Sequence, residues 1–231
     1  MEAWAIVVAA GNSVRFGRPK QYAELGERRV LDLAVSGARR GCHGVGVVVP
    51  PADLASVAVV GADAVVGGGA TRSASVRAGL SAVPPTAAVI VVHDAARPLA
   101  GPAIWTAVIE AVVAGAAAAI PGVPVTDTLK RVDDGVVVAT VDRERLVAVQ
   151  TPQAFRASCL RAAHAGGGEA TDDAALIEAA GGQVVVVEGD RNNLKLTTAT
   201  DLVLARSVLA AQRAAGCGEE TPEAATGVPP S

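Results

Sequence analysis

The chain has 231 residues, with 20 Lys and Arg against 23 Asp and Glu, and 51% of its residues are hydrophobic while only 2% are aromatic. A formal charge of −3 offers no cationic footprint for nucleic acid, so any anionic ligand needs a local site. The apolar share excludes global disorder, and Cys42, Cys159 and Cys217 form no C-x-x-C pair, which supports neither a disulfide framework nor a zinc cluster.

In chain order, the run 4–9 (WAIVVA) reads as a buried strand that starts too close to Met1 for a secretory signal, which predicts a cytoplasmic protein. A helix is expected over 28–40 with Gly41 capping its end. Strands follow at 45–49 and 63–66, a helix at 71–83, a strand at 87–92, a helix at 103–115 and a strand at 116–120. The apolar stretch 111–121 is too short to cross a bilayer, so no membrane partner is expected. Residues 123–150 break the rhythm: Asp134-Gly135 between two β-like runs predicts a hairpin, hence an antiparallel arm of the kind that mediates dimerisation. Helices return at 157–165 and 171–180, the latter with Thr171 as N-cap and Asp172 and Asp173 against the positive helix terminus. A strand at 183–187 and a helix at about 199–214 complete a single domain over 1–215, ahead of a Gly/Pro/Glu-rich tail, 216–231, expected to be disordered. The strands are almost continuously apolar, as in a parallel sheet covered by helices on both faces, and the alternation implies right-handed βαβ units, an α/β architecture.

Five segments carry chemistry. In 7–22 (VVAAGNSVRFGRPKQY), a buried strand runs into Ala9, Ala10 and Gly11, whose small side chains let backbone N–H groups approach an anion, and then into Arg15 and Lys20. By itself this is equally a strand-to-helix turn with solvated basic residues. It is neither a dinucleotide fingerprint, since Ser13 and Phe16 stand where glycines belong, nor a P-loop, since Gly17 is followed by Arg-Pro-Lys. HDAARP (93–98) follows a strand, so Asp94 and Arg97 fall where open sheets bind ligands, although an Asp–Arg pair could simply close a loop; His93 is assigned no role. GGGATRSAS (67–75) brings flexible Gly68 and Gly69, with Arg72 and Ser75 one turn apart. DTLK, VDR and QTPQ place Thr128, Lys130, Arg143 and Thr151 on the arm. In Leu194-Lys195-Leu196, the lysine points opposite to its apolar neighbours.

Taken in order, AAG…R-F-G…PKQY, GG…R-x-x-S-V, VHDAARP, P-V-x-D-T-x-K, V-D-R, Q-T-P-Q-x-F, T-D-D-A and N-x-K-x-T-x-x-D-L resemble the 2-C-methyl-D-erythritol 4-phosphate cytidylyltransferase family, from about residue 4 to 209. The resemblance implies a Rossmann-like, doubly wound, mostly parallel sheet with a projecting antiparallel β-arm that joins a homodimer. It implies a transferase of isoprenoid biosynthesis that joins CTP to 2-C-methyl-D-erythritol 4-phosphate, with Mg²⁺ held mainly through the CTP phosphates. Arg15, Lys20 and Lys195 then match the catalytic cations around the α-phosphate. Ala9, Ala10, Gly11, Gly69, Ser75, Asp94 and Ala95 match the CTP site, and Asp94, Arg97, Arg143, Thr151 and Thr171 the polyol-phosphate site. A cytidylyltransferase for another polyol phosphate, such as ribitol 5-phosphate, is the alternative; relatives of that kind vary around HDAARP, which is intact here. A dinucleotide-binding oxidoreductase is disfavoured by the failed fingerprint.

Overall fold

The computed structural model describes residues 1–11, 16–17 and 19–216; the expectations for Arg15, for Cys217 and for the tail beyond 216 lie outside the described residues. The elements in order are β1 (Ala3–Val8), β2 (Glu24–Leu25), β3 (Arg28–Arg29), α1 (Val30–Gly41), β4 (Gly44–Val49), β5 (Ala64–Gly67), α2 (Arg72–Ser81), β6 (Val89–Asp94), α3 (Pro102–Val113), β7 (Ala118–Pro124), β8 (Leu129–Asp133), β9 (Val136–Val141), β10 (Val147–Val149), β11 (Gln153–Arg156), α4 (Ala157–Ala165), α5 (Asp173–Ala179), β12 (Val184–Glu188) and α6 (Ala199–Gly216).

The main sheet has eight strands. Its centre is β1, paired in parallel with β4 on one side and β6 on the other, and β5 extends the β4 side. Beyond β6 comes β11, antiparallel to both β6 and β7, and β12 closes the far edge in parallel with β7. The sheet is therefore Rossmann-like and mostly parallel. Its alternating residues sort onto two faces. Ala5 and Val7 of β1 pack with Leu31 and Val35 of α1 and Trp105 and Val108 of α3, whereas Ile6 packs with Val76 and Leu80 of α2, Leu160 of α4 and Ile177 of α5. Each fully buried Val, Leu or Ile side chain contributes roughly 1.5–3 kcal/mol, so covering both faces is what holds the layers together. A third, smaller cluster lies under α6, where Leu25, Val30, Leu99, Leu196, Leu202 and Ala205 meet.

Three boundaries differ from those the sequence predicts. α1 begins at Val30, because Arg28 and Arg29 pair with Glu24 and Leu25 as a two-stranded ribbon. Gly41 is not a cap: it lies inside α1, where a Cβ would stand 2.9 Å from Cβ of Trp105, so its lack of a side chain serves the close approach of α1 to α3. The N-cap of α5 is Asp172 rather than Thr171, since the Asp172 carboxylate accepts the Ala175 N–H at 3.1 Å.

The arm is a separate two-stranded sheet, β8 with β9, turning through Asp134 and Gly135. Both residues have positive φ, 45° and 81°, as a two-residue hairpin turn requires. The arm is narrower than 123–150, because β10 pairs with Gly122–Pro124 of β7 and its base thereby belongs to the main sheet. Among the described residues no helix is long and apolar enough to cross a membrane.

Candidate active site

The chain runs from β1 to β4 to β5 in one direction and then crosses to β6 on the other side of β1. The carboxyl ends of β1 and β6 therefore diverge into their connections at a switch point, where open α/β sheets leave a crevice. Residues 9–11 leave β1 and residues 95–97 leave β6 on either side of it. The Ala9 N–H donates to the Val48 carbonyl (2.7 Å) and the Ala95 N–H to that of Val8 (3.0 Å), which fixes both rims to the sheet.

A cavity of about 520 Å³ occupies this crevice, within the usual size of a small-molecule site. Ala9, Ala10, Gly11, Lys20, Gly69, Ser75, Asp94, Ala95 and Lys195 all line it, so nine of the residues singled out in the sequence converge from four separate segments. The 68–71 loop lies tight against β1. A Cβ on Gly68 would come within 2.4 Å of the Ala10 Cβ, and one on Gly69 within 2.5 Å of the Ala74 Cβ, so glycine is what lets this loop close the wall. Ser75 is buried; its hydroxyl accepts from the Gly69 N–H (3.2 Å) and donates to the Thr71 carbonyl (2.9 Å), which shapes the same loop.

Among the described lining residues, three cations, Lys20, Arg72 and Lys195, face one carboxylate, Asp94. Lys20 Nζ donates to the Leu196 carbonyl (2.9 Å), which brings it beside the residue that follows Lys195. Lys195 Nζ donates to Asp94 Oδ2 (2.7 Å), while Arg72 Nε donates to Oδ1 (3.3 Å). Burial would raise the Asp94 carboxyl, but Arg72 and Lys195 overcome it and hold it well below the usual carboxylate range. Burial likewise opposes the charge on Arg72, and Asp94 and Asp173 outweigh it. The site is charged, with its cations in excess.

Four expected site residues lie elsewhere. Thr151 is buried rather than exposed on the arm, and its hydroxyl accepts from the Asp94 N–H (3.0 Å) and meets Nδ1 of His93 (3.1 Å). His93 Nε2 faces the Arg97 carbonyl (3.1 Å), which can only accept, so Nε2 carries a proton; in the neutral ring the Thr151 hydroxyl then donates to Nδ1. Burial lowers the His93 pKa to about 4, against a partial opposing pull from Asp94. His93 is thus a packed, hydrogen-bonded residue under the site. Arg97 is turned away from the cavity and donates to the carbonyls of Asn193 (2.8 Å) and Val149 (3.3 Å), tying the 193–196 segment to the base of the arm. Arg143 is exposed on the arm, where it donates to the Thr126 carbonyl, and Thr171 is exposed ahead of α5. Conversely Arg72, noted in the sequence only for its spacing from Ser75, is a wall of the cavity; the signal was its place at the first turn of a Thr71-capped helix.

Among the described residues no three His, Cys, Asp or Glu side chains gather where they could hold a metal ion, and both oxygens of Asp94 already carry cations. A hard divalent ion fits this lining only with oxygen ligands that a phosphorylated substrate brings. Cys42 and Cys159 are free thiols, and burial pushes Cys42 up to about 12, so it is inert.

A switch-point crevice with a glycine loop and an excess of cations defines a nucleotide-handling α/β protein built for polyphosphate. The family model of 2-C-methyl-D-erythritol 4-phosphate cytidylyltransferase matches residues 3–211. The chain belongs to that family of nucleotidyltransferases. It is 45% identical over 230 residues to the Saccharopolyspora erythraea protein of that name, covering 91% of this chain and 100% of the relative. It is 44% identical to the bifunctional enzyme IspD/IspF of Clavibacter michiganensis subsp. michiganensis, covering 96% of this chain but 58% of the relative, so it spans little more than half of that longer protein. The crystal structure of the Thermus thermophilus cytidylyltransferase superimposes with a TM-score of 0.77 at 37% identity, covering 90% of this chain and 98% of that one.

Proposed function

We infer that the chain transfers the cytidylyl group of CTP to 2-C-methyl-D-erythritol 4-phosphate. A phosphate oxygen of the polyol phosphate attacks the α-phosphorus of CTP, the bond from that phosphorus to the bridging oxygen of the β-phosphate breaks, and pyrophosphate leaves with CDP-methylerythritol as product. Such an in-line displacement asks the protein chiefly for positioning and charge stabilisation. The observation that carries this reading is the convergence of Lys20 and Lys195, from opposite ends of the chain, on one cavity beside the glycine loop.

Lys20 and Lys195 are assigned to the charge that builds at the α-phosphate, with Arg15 as the third cation of the family pattern. Ala9, Ala10 and Gly11 line the phosphates, Gly69 and Ser75 flank the base, and Asp94 and Ala95 meet the ribose. Asp94 also faces the polyol, whose phosphate is assigned to Arg143 of a second copy. The arm is the proposed dimer contact: Val132, Val136, Val137 and Val138 are all at least half exposed on it, an apolar surface that a partner arm would cover. Thr171 is assigned to the polyol in the same site as Asp94, and Thr151 supports that site through the Asp94 backbone. A divalent ion, Mg²⁺ in this reading, would be held by CTP phosphate oxygens and would supply neutralisation of the triphosphate charge. Residues 1–215 form one domain in this reading, acting in the cytoplasm.

The test is direct. Incubated with CTP, Mg²⁺ and either methylerythritol 4-phosphate or ribitol 5-phosphate, the protein is expected to release pyrophosphate and form the CDP-alcohol stoichiometrically from the first. Preference for ribitol 5-phosphate, or product from neither, overturns the reading.

A further inference from the structure

Behind the cavity wall lies a carboxylate with no direct access to a ligand. Asp173, the first helical residue of α5, is 0% exposed, yet it is doubly engaged: Oδ2 accepts from Arg72 Nη1 (2.7 Å) and Oδ1 faces His164 Nε2 (2.9 Å). Its helix is anchored on both sides, since Asp172 caps it and also accepts from Gln153 of β11 (2.9 Å). Arg72 therefore divides its fork between two carboxylates, Nε on Asp94 and Nη1 on Asp173.

That division has a consequence for the lysine. A guanidinium facing a lone carboxylate takes both of its oxygens through two parallel N–H bonds. Here Asp173 takes the short bond, 2.7 Å at Nη1, and Nε meets Asp94 only at Oδ1 and at a long 3.3 Å, so the Nε–Nη2 edge is not seated on both oxygens and Oδ2 is left to Lys195. We propose that Asp173 is a positioning residue: by drawing Arg72 back, it fixes which oxygen Asp94 offers and so holds the Lys195 ammonium at the cavity wall. The catalytic consequence rests on the functional reading given above; the geometric one does not.

Asp173→Asn keeps the shape and removes the charge that holds Nη1. In its crystal structure Arg72 is expected to close on both oxygens of Asp94, with Lys195 Nζ displaced beyond hydrogen-bonding distance. An unchanged Arg72 and Lys195 overturns the proposal whatever the enzyme does. In turnover, kcat is expected to fall about tenfold with the KM for CTP within about twofold, and the substitution is expected to add nothing in an Asp94→Asn background, where Lys195 has already lost its charged partner. Additive losses would assign Asp173 to stability alone and overturn the positioning role. Should Asp173→Asn fold poorly, Arg72→Lys retains the charge but, with one nitrogen on a shorter reach, cannot meet Asp94 and Asp173 through separate arms, and is expected to lose kcat to the same degree; full turnover by that variant also overturns the proposal. If the wild-type protein forms no CDP-alcohol, the functional reading falls, and the crystal structures still decide the geometry.

Discussion

The body and the arm use the same amino acid to opposite ends. In β1, β4 and β6, valines such as Val47 and Val91 are 0% exposed and sandwiched between helices; in β8 and β9, Val136 and Val137 stand 66% and 57% exposed. Alternation cannot explain the contrast, because both faces of the hairpin are open. The body covers the valines of these strands with helices of its own chain. The arm does not, and in the proposed reading a second copy supplies the missing layer. Composition alone is silent on which valines are which; position relative to a covering helix decides it.

The contrast can be broken most severely in the body. Val91→Asp would bury an unpaired carboxylate at the centre of the sheet, at a cost of more than about 4 kcal/mol, and the chain is expected to lose its cooperative urea transition and its far-UV circular dichroism. Next in size is Lys20→Ala. It leaves the body folded and removes about 2.7–4 kcal/mol of transition-state stabilisation, a fall of about 10²–10³ in kcat by pyrophosphate release; wild-type turnover would refute its assignment.

A smaller effect tests the buried support of the site. The His93 pKa is lowered to about 4, from about 6.5 in the unfolded chain, so between these values the unfolded state binds the proton more readily. The stability His93 contributes is fully present above about pH 6.5 and is lost as the pH falls toward 4. Between pH 7 and pH 5 the wild-type protein is expected to lose about 2 kcal/mol more than His93→Gln, read from urea midpoints. Equal losses would mean that His93 titrates normally. The smallest expected effect is in the arm: Val137→Asp should change chain stability by less than about 0.5 kcal/mol, yet convert the proposed dimer to monomer in sedimentation velocity. A large loss of stability there would show that the arm is part of the body's core after all.

The sequence carries the six parallel strands because Val/Ala runs covered on both faces leave an uninterrupted apolar signature. It hides β11, since only Ala154 and Phe155 of that four-residue strand are apolar and it sits antiparallel in the middle of the sheet, after a Gln-Thr-Pro-Gln stretch that reads as arm. Within the site, Lys195 is legible because Leu194 and Leu196 fix its direction; Leu196 is fully buried and Lys195 half exposed. Arg97 and Thr151 are legible as polar residues beside the site but not in their aim, which depends on carbonyls and a ring 40 or more residues away. The same is true of Thr171 and Asp172, two adjacent residues that both cap helices well; it is Asp172 that reaches the Ala175 N–H and is held by Gln153 of β11.

The bond from Lys20 to the Leu196 carbonyl spans 176 positions of the chain. During synthesis the β1 rim and Lys20 emerge long before their counterpart, and most of the main sheet lies between them in the chain. A nascent chain can therefore lay down most of its sheet before the short segment that leads into α6 completes the lining of the cavity.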